Sequence, residues 1–223
     1  ISAVCNDDLS KYLIQELENN NISDKHLIKI NGNSGMSVAI SNESGNYSAV
    51  VISGVNYKIP ENIFSNDNLW KHCSFLMIQN EIKEEINIIA AKEAKKRGIG
   101  IFLNAAPAKK INNILFELVD ILLVNEIESQ QLLGISKNNF KEQAKKLSTL
   151  VSKTIITLGD KGIVFCEKNK KPNFLAAHSV KVKSAHGAGD YFAGKFISNF
   201  IRTNNFEDSI KMANKKTSEF ISY

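Results

Sequence analysis

From residue 75 onward the apolar residues fall into short runs, separated by stretches in which they recur every three or four positions. Residues 75–78, 101–103 and 121–124 are apolar runs of strand length, 154–158 reads as another strand, and 163–165 follows a turn. Between them, Ile82, Ile86, Ile89, Ala90 and Ala94 make a helical stripe ended by Gly98. Ile111, Ile114, Leu115 and Leu118 make a second, and 130–133 and 140–150 read as helical. Phe192, Phe196, Ile197, Phe200 and Ile201 fit one further helix. Ile210, Ala213, Thr217 and Ile221 share a face of a last one over 206–221. Short strands alternating with helices predict an α/β fold with a mostly parallel sheet covered on both faces. The first 57 residues differ. Leu9, Leu13, Ile14 and Leu17 predict a helix that starts after acids and stops at Asn19-Asn20-Asn21. Residues 22–57 read as strands: Val38 and Ile40 alternate with small or polar residues, Ser44-Gly45-Asn46 turns, and 47–52 returns.

Length and composition narrow this picture. The chain has 223 residues, 43% hydrophobic and 23% charged, enough for one large globular domain. No apolar run is long enough to span a bilayer, and no signal-peptide pattern opens the chain. The first residue is Ile1, so the chain is expected to begin partway through a longer one. Cys5, Cys73 and Cys166 are widely spaced and odd in number, which fits buried thiols in a reducing cytoplasm rather than a disulfide or metal framework. Net charge is +5, but the lysines are scattered and Arg97 and Arg202 are the only arginines. Neither a nucleic acid nor a membrane is expected as a partner. A modest positive field does suit a nucleotide polyphosphate.

The candidate chemistry centres on residues 184–194, where Gly187, Ala188 and Gly189 run into Asp190 and then into the phenylalanine-rich helix. Free N–H groups and the dipole at such a helix start favour an anion. On its own the stretch reads equally as a tight turn with Asp190 as N-cap. Polar residues also follow each strand: Gln79-Asn80-Glu81, Asn104 to Ala108, Asn125 with Glu128, and Gly159-Asp160-Lys161-Gly162. Parallel sheets bind ligands at this end.

This ordered set resembles the ribokinase-type (PfkB-type) carbohydrate kinases. Gly187-Ala188-Gly189-Asp190 is similar to that family's C-terminal signature. Thr157-Leu158-Gly159 with Gly162 resembles its nucleotide loop, and Asn125 with Glu128 its Asn-x-x-Glu element. Gly54-x-Asn56, Gln79-x-Glu81 and Leu103-Asn104-x-Ala106-Pro107-Ala108 add to the match, which spans essentially the whole chain. The resemblance implies a three-layer α/β sandwich, one partial kinase domain over 1–223, with a small β lid near 36–52. It implies ATP-dependent phosphorylation of a primary sugar hydroxyl, above all D-ribose to D-ribose 5-phosphate. Another sugar, a nucleoside, or a degenerate fragment that binds without catalysis is the alternative. By resemblance Asp190 is the base, and Gly187, Ala188 and Gly189 form the anion hole. Asn125, Thr157, Gly159, Gly162, Gly189 and Asn214 approach ATP, and Glu128 organises Mg²⁺ through waters. Glu81 and Asp190 contact the sugar, and the lid pairs two subunits.

Residue by residue, Glu128 also reads as a first-turn helix acid and Asn214 as a solvent-facing helix residue. Some positions depart from the family. Its N-terminal sugar-binding region is absent, Cys5 and Ser10 stand where glycines are usual, and the C-terminus, ending at Tyr223, looks cut short. Ser184 stands where an Asp usually helps hold a monovalent cation, which puts K⁺ activation in doubt, and His186 occupies a small-residue position. From these departures the chain is expected to be a fragment of such a kinase, weakly active or inactive by itself.

Overall fold

The structure, a computed structural model, describes residues 2–41, 47–135 and 138–222. The chain forms two compact units, Ile1–Lys71 with Glu81–Ile89, and His72–Asn80 with Ala90–Tyr223.

The first unit holds β1 (Ala3–Val4), α1 (Asp8–Asn19), β2 (Ile28–Lys29), β3 (Met36–Ser41) and β4 (Tyr47–Ile52). β1 and β2 pair in parallel, and β3 and β4 form an antiparallel hairpin with Met36 opposite Ile52. The turn expected at 44–46 lies outside the described residues. Met36, Val38, Val50, Val51 and Ile52 of the hairpin are exposed. Helix α1 starts at a reciprocal cap. Asp7 Oδ1 accepts from the Ser10 N–H at 2.9 Å, and Ser10 Oγ accepts from the Asp7 N–H at 3.3 Å. The same carboxylate accepts from the N–H and hydroxyl of Ser34 at 2.9 and 2.8 Å. These bonds, the Ser34 N–H first, hold the Asp7 carboxyl below its ordinary range. Ser10 is thus buried and completes the cap. The strand reading of 22–57 is too generous. Gly54–Lys58 is a short 3₁₀ helix, and Gly54 at its start has φ +53°, where a Cβ would lie 2.4 Å from the Asn33 carbonyl oxygen.

The larger unit is the α/β sandwich. Chain order continues with β5 (Phe75–Gln79), α2 (Glu84–Lys96), β6 (Gly100–Asn104), α3 (Asn113–Leu118), β7 (Ile121–Asn125), α4 (Glu126–Leu133) and α5 (Phe140–Leu150). Then come β8 (Lys153–Thr157), β9 (Ile163–Glu167), β10 (Asn173–Leu175), α6 (Ala188–Thr203) and α7 (Phe206–Ser222). One six-stranded sheet runs in the order β10-β9-β8-β7-β6-β5. Strands β5 to β8 are parallel, and β9 and β10 are added antiparallel. The mostly parallel sheet expected from the short apolar runs is therefore present, with an antiparallel edge. Ile82 and Ile111, read as helical, precede α2 and α3, and α4 begins at Glu126 rather than near Gln130.

Alternate residues of the strands point to opposite faces. Phe102, Ile121, Leu123, Ile155 and Phe165 face α6 and α7, meeting Phe192, Phe196, Phe200, Phe206 and Ile210. Phe196 is the hub. Its ring lies 5.5 Å from Phe102, 5.7 Å from Phe200 and 5.9 Å from Phe206, between centroids. Helix α5 packs on β8 and β9, with Ser148 against the Cys166 thiol.

Candidate active site

The carboxyl ends of the parallel strands carry polar side chains in register. Gln79 lies opposite Asn104, and Asn125 opposite Thr157. Beyond these ends a groove of about 480 Å³ opens, lined by Thr157, Gly159, Gly162, Ala188, Gly189 and Asn214, among others. All of the nucleotide residues expected from the sequence except Asn125 therefore converge on one groove.

Two glycines shape its floor. Gly162 has φ +115°, and a Cβ there would lie 2.2 Å from the Leu175 carbonyl oxygen; Gly159 has φ +59° with open space around it. Gly162→Ala is therefore expected to cost about 1–3 kcal/mol through clash and strain together. Gly159→Ala is expected to cost about 1 kcal/mol, from the left-handed backbone alone. Denaturant midpoints of the two variants check this, and the order reversed would contradict it.

Asn214 is buried rather than solvent-facing. Its Nδ2 donates to the Ala176 carbonyl at 3.0 Å and so ties α7 to the segment that walls the groove. The segment 177–182 supplies His178, Ser179, Val180 and Val182 to the lining. No glycine marks this segment, and the alternation of Val180 and Val182 with Ser179 and Lys181 gives no sign of a groove wall.

The stretch 184–190 folds as a turn into α6. Gly187 is the N-cap, with φ +73° and no side chain to cap the helix. Asp190 is therefore the third helical residue, not the N-cap. The Ala188 N–H donates to Ala185 O at 3.2 Å, so Ala188 is not an anion donor in this structure. The N–H groups of Gly189 and Asp190, in the first turn, have no intrahelical acceptor. The Asp190 carboxylate is exposed and accepts a hydrogen bond from Gln79 Nε2 at 2.9 Å. His186 is exposed and sits with Ser184, Tyr191 and Phe220 along a separate surface groove, the Tyr191 and Phe220 rings stacked at 4.3 Å.

Asn125 and Glu128 form a capping box at the start of α4. Asn125 Oδ1 accepts from the Glu128 N–H at 2.8 Å, and Glu128 Oε2 accepts from the Asn125 N–H at 2.7 Å. Burial pushes the Glu128 carboxyl above its ordinary range, and the Asn125 N–H pulls the other way. Glu128 is thus the first-turn acid of the plainer reading, with Oε1 left outside the capping pair. Among the described residues no group of three or more His, Cys, Asp or Glu side chains could enclose a metal. Glu81 is exposed and belongs to the first unit, whereas Asp190 belongs to the second. No helix among the described residues is long and apolar enough to cross a membrane.

A three-layer α/β sandwich with a ligand-sized groove at the carboxyl ends of its strands defines the class of protein. The particular family follows from comparison. The family described as pfkB family carbohydrate kinase matches residues 1–222, and the chain belongs to it, as a kinase. The ribokinase of Staphylococcus aureus (strain COL) is 29% identical over 225 residues, 98% of this chain and 74% of that protein. The ribokinase of Haemophilus influenzae is 28% identical over 217 residues, 95% of this chain and 71% of that protein. The solved structure of Arabidopsis thaliana ribokinase complexed with ribose and ATP shares the fold, with a TM-score of 0.90 and 23% identity. That match covers 100% of this chain and 76% of the other.

Proposed function

We propose that this carbohydrate kinase moves the γ-phosphoryl group of ATP to a primary hydroxyl of a pentose, turning D-ribose into D-ribose 5-phosphate. The observation that carries the reading is the convergence of Thr157, Gly159, Gly162, Gly189 and Asn214 on one groove beside the helix start that bears Asp190. The names of the relatives support ribose as the acceptor, and the complex with ribose and ATP supports the substrate pair.

In this reading the adenosine part of ATP lies in the groove and its phosphates point at the start of α6. The N–H groups of Gly189 and Asp190 meet the charge on the transferring group, and Gly187 and Ala188 shape the turn that presents them. Asp190 takes the sugar hydroxyl proton as that oxygen bonds to the γ-phosphorus. The bond from the γ-phosphorus to the bridging oxygen breaks, and ADP leaves with that oxygen's electron pair. Asn125 has committed its Oδ1 to the α4 cap, so its Nδ2 is the group left to approach a phosphate. Mg²⁺ fits this donor set when it keeps most of its waters, one of them reached by Glu128; it would shield the phosphate charge. Glu81 contacts sugar hydroxyls. The exposed apolar hairpin β3–β4 supports pairing of two copies through it.

The test is a panel of D-ribose, 2-deoxy-D-ribose, D-fructose and adenosine, each assayed with ATP and Mg²⁺. The highest kcat/KM is expected for D-ribose, with phosphate appearing on O5 by NMR. Any other acceptor preferred by about tenfold would move the substrate assignment.

A further inference from the structure

Glu128 and Asp190 each stand at the third position of a helix of the sandwich, and these two acids behave differently. Glu128 in α4 folds back onto its own N-cap N–H. Asp190 in α6 does not; its carboxylate is held outward by Gln79 at 2.9 Å, across 111 residues of sequence. We propose that Gln79 is a positioning residue for Asp190. It occupies Oδ1, stops the side chain from curling back onto the helix start, and leaves Oδ2 aimed at the acceptor hydroxyl. The inference rests on the reading of Asp190 as the base.

Gln79 is built for the task by its surroundings. It is the last residue of β5, and the residue after it is locked. Asn80 is buried, and its Nδ2 donates to the carbonyls of Ala105 at 3.1 Å and Pro107 at 3.0 Å. The Asn80 N–H donates to Ala106 O at 2.9 Å, and Lys109 Nζ donates to Asn80 O. The strand end that projects the Gln79 amide is thus tied on both sides to the loop after β6. Asp190 stands on a helix seated by the buried Phe192 and Phe196, so both partners come from rigid elements. The chemistry of an amide also suits the role. An ionised carboxylate only accepts hydrogen bonds, so Nε2 must be the atom that faces it. A neutral donor orients the carboxylate without cancelling its charge, as a Lys or Arg there would. With no side chain on Gly187 to compete, an unheld acid at the third helical position would favour the helix's own free N–H groups.

Gln79→Met keeps the length of the side chain and removes the donor; Gln79→Glu keeps the shape and sets a second carboxylate against the first. Both are assayed in the full-length protein beside Asp190→Asn and the double variant with Gln79→Met. Gln79→Met is expected to lower kcat about tenfold, the loss of one charge-assisted hydrogen bond, with the Kd for ATP within about twofold. Gln79→Glu is expected to lower it further, by about a hundredfold. In the Asp190→Asn background Gln79→Met is expected to change the residual rate by less than about twofold. A kcat for Gln79→Met within twofold of the parent, beside an inactive Asp190→Asn, overturns the positioning role alone. A tenfold loss that persists unchanged in the Asp190→Asn background also overturns it, since Gln79 would then act elsewhere. Turnover surviving in Asp190→Asn overturns the reading beneath. If Gln79→Met does not fold, the ratio of Gln79→Glu to the parent, with and without Asp190→Asn, decides the same question.

Discussion

Replacing Asp190 by Asn is expected to lower kcat by about two to four orders of magnitude, the usual contribution of a positioned base. The Kd for ATP is expected to stay within about twofold. The two halves of that expectation come from separate atoms. The side chain of Asp190 stands outside the groove lining, whereas the groove is shaped by Thr157, Gly159, Gly162 and Asn214 and by the backbone at Gly189. An amide keeps the size of the carboxylate and can still meet Gln79 through its oxygen, so the local geometry survives. What is lost is the capacity to take a proton. Single-turnover phosphorylation, with ATP affinity measured separately by calorimetry, checks both halves; turnover within a few-fold of the parent would remove Asp190 from the chemistry.

The largest effect on stability is expected from Phe196→Ala, a loss of about 3–5 kcal/mol. Phe196 has 0% of its surface exposed and touches Phe102 of the sheet, Phe192 and Phe200 of its own helix, and Phe206 of the next. Truncation removes the buried ring and also the partner of four others, and rings stacked along a helix cannot all move to fill the space. A domain has about 5–15 kcal/mol in total, so the variant is expected to sit near its folding threshold. Urea denaturation read by circular dichroism measures the loss; a change below about 1 kcal/mol would mean that the cavity closes on itself. Because Phe196 seats the helix whose first turn carries Asp190, activity is expected to decline before the midpoint of unfolding is reached.

The strands that could be read from the chain are those whose environment is simple. β6 and β7 are buried on both faces, so 101–103 and 121–124 are uninterrupted apolar runs, and β8 keeps Ile155-Ile156 between two threonines. β10 could not be read this way: it is an edge strand of three residues, Asn173–Leu175, and its side chains range from exposed to half-buried. The short 3₁₀ helix Gly54–Lys58 has no such run, and what its sequence does show is Gly54, where a Cβ would meet the Asn33 carbonyl oxygen.

The groove divides in the same way. Gly159 and Gly162 stand out in sequence as glycines, one with a left-handed backbone and the other also with a close backbone approach, and both line the groove with Thr157 and Gly189. Asn214 has no local mark; resemblance alone singled it out, and the structure shows it buried and bonded to the Ala176 carbonyl. The pairing of Gln79 with Asp190 has no local signature at all. It exists because β5 and the start of α6 meet in space, and no spacing along the chain encodes that meeting.

The arrangement of the sheet bears on how the chain is made. Strands β5 to β8 are laid side by side in the order in which they leave the ribosome, each beside the one before it. The phenylalanine-rich face they present is covered by α6 and α7, which follow every strand of the sheet in the chain. During translation that face therefore stays bare until residues 192–213 emerge. A nascent chain paused before that point would present Phe102, Leu123, Ile155 and Phe165 to solvent, a surface suited to chaperones and to aggregation. Asp190 stands in the first turn of the same α6, so the step that buries the oily face also brings this acid beside Gln79.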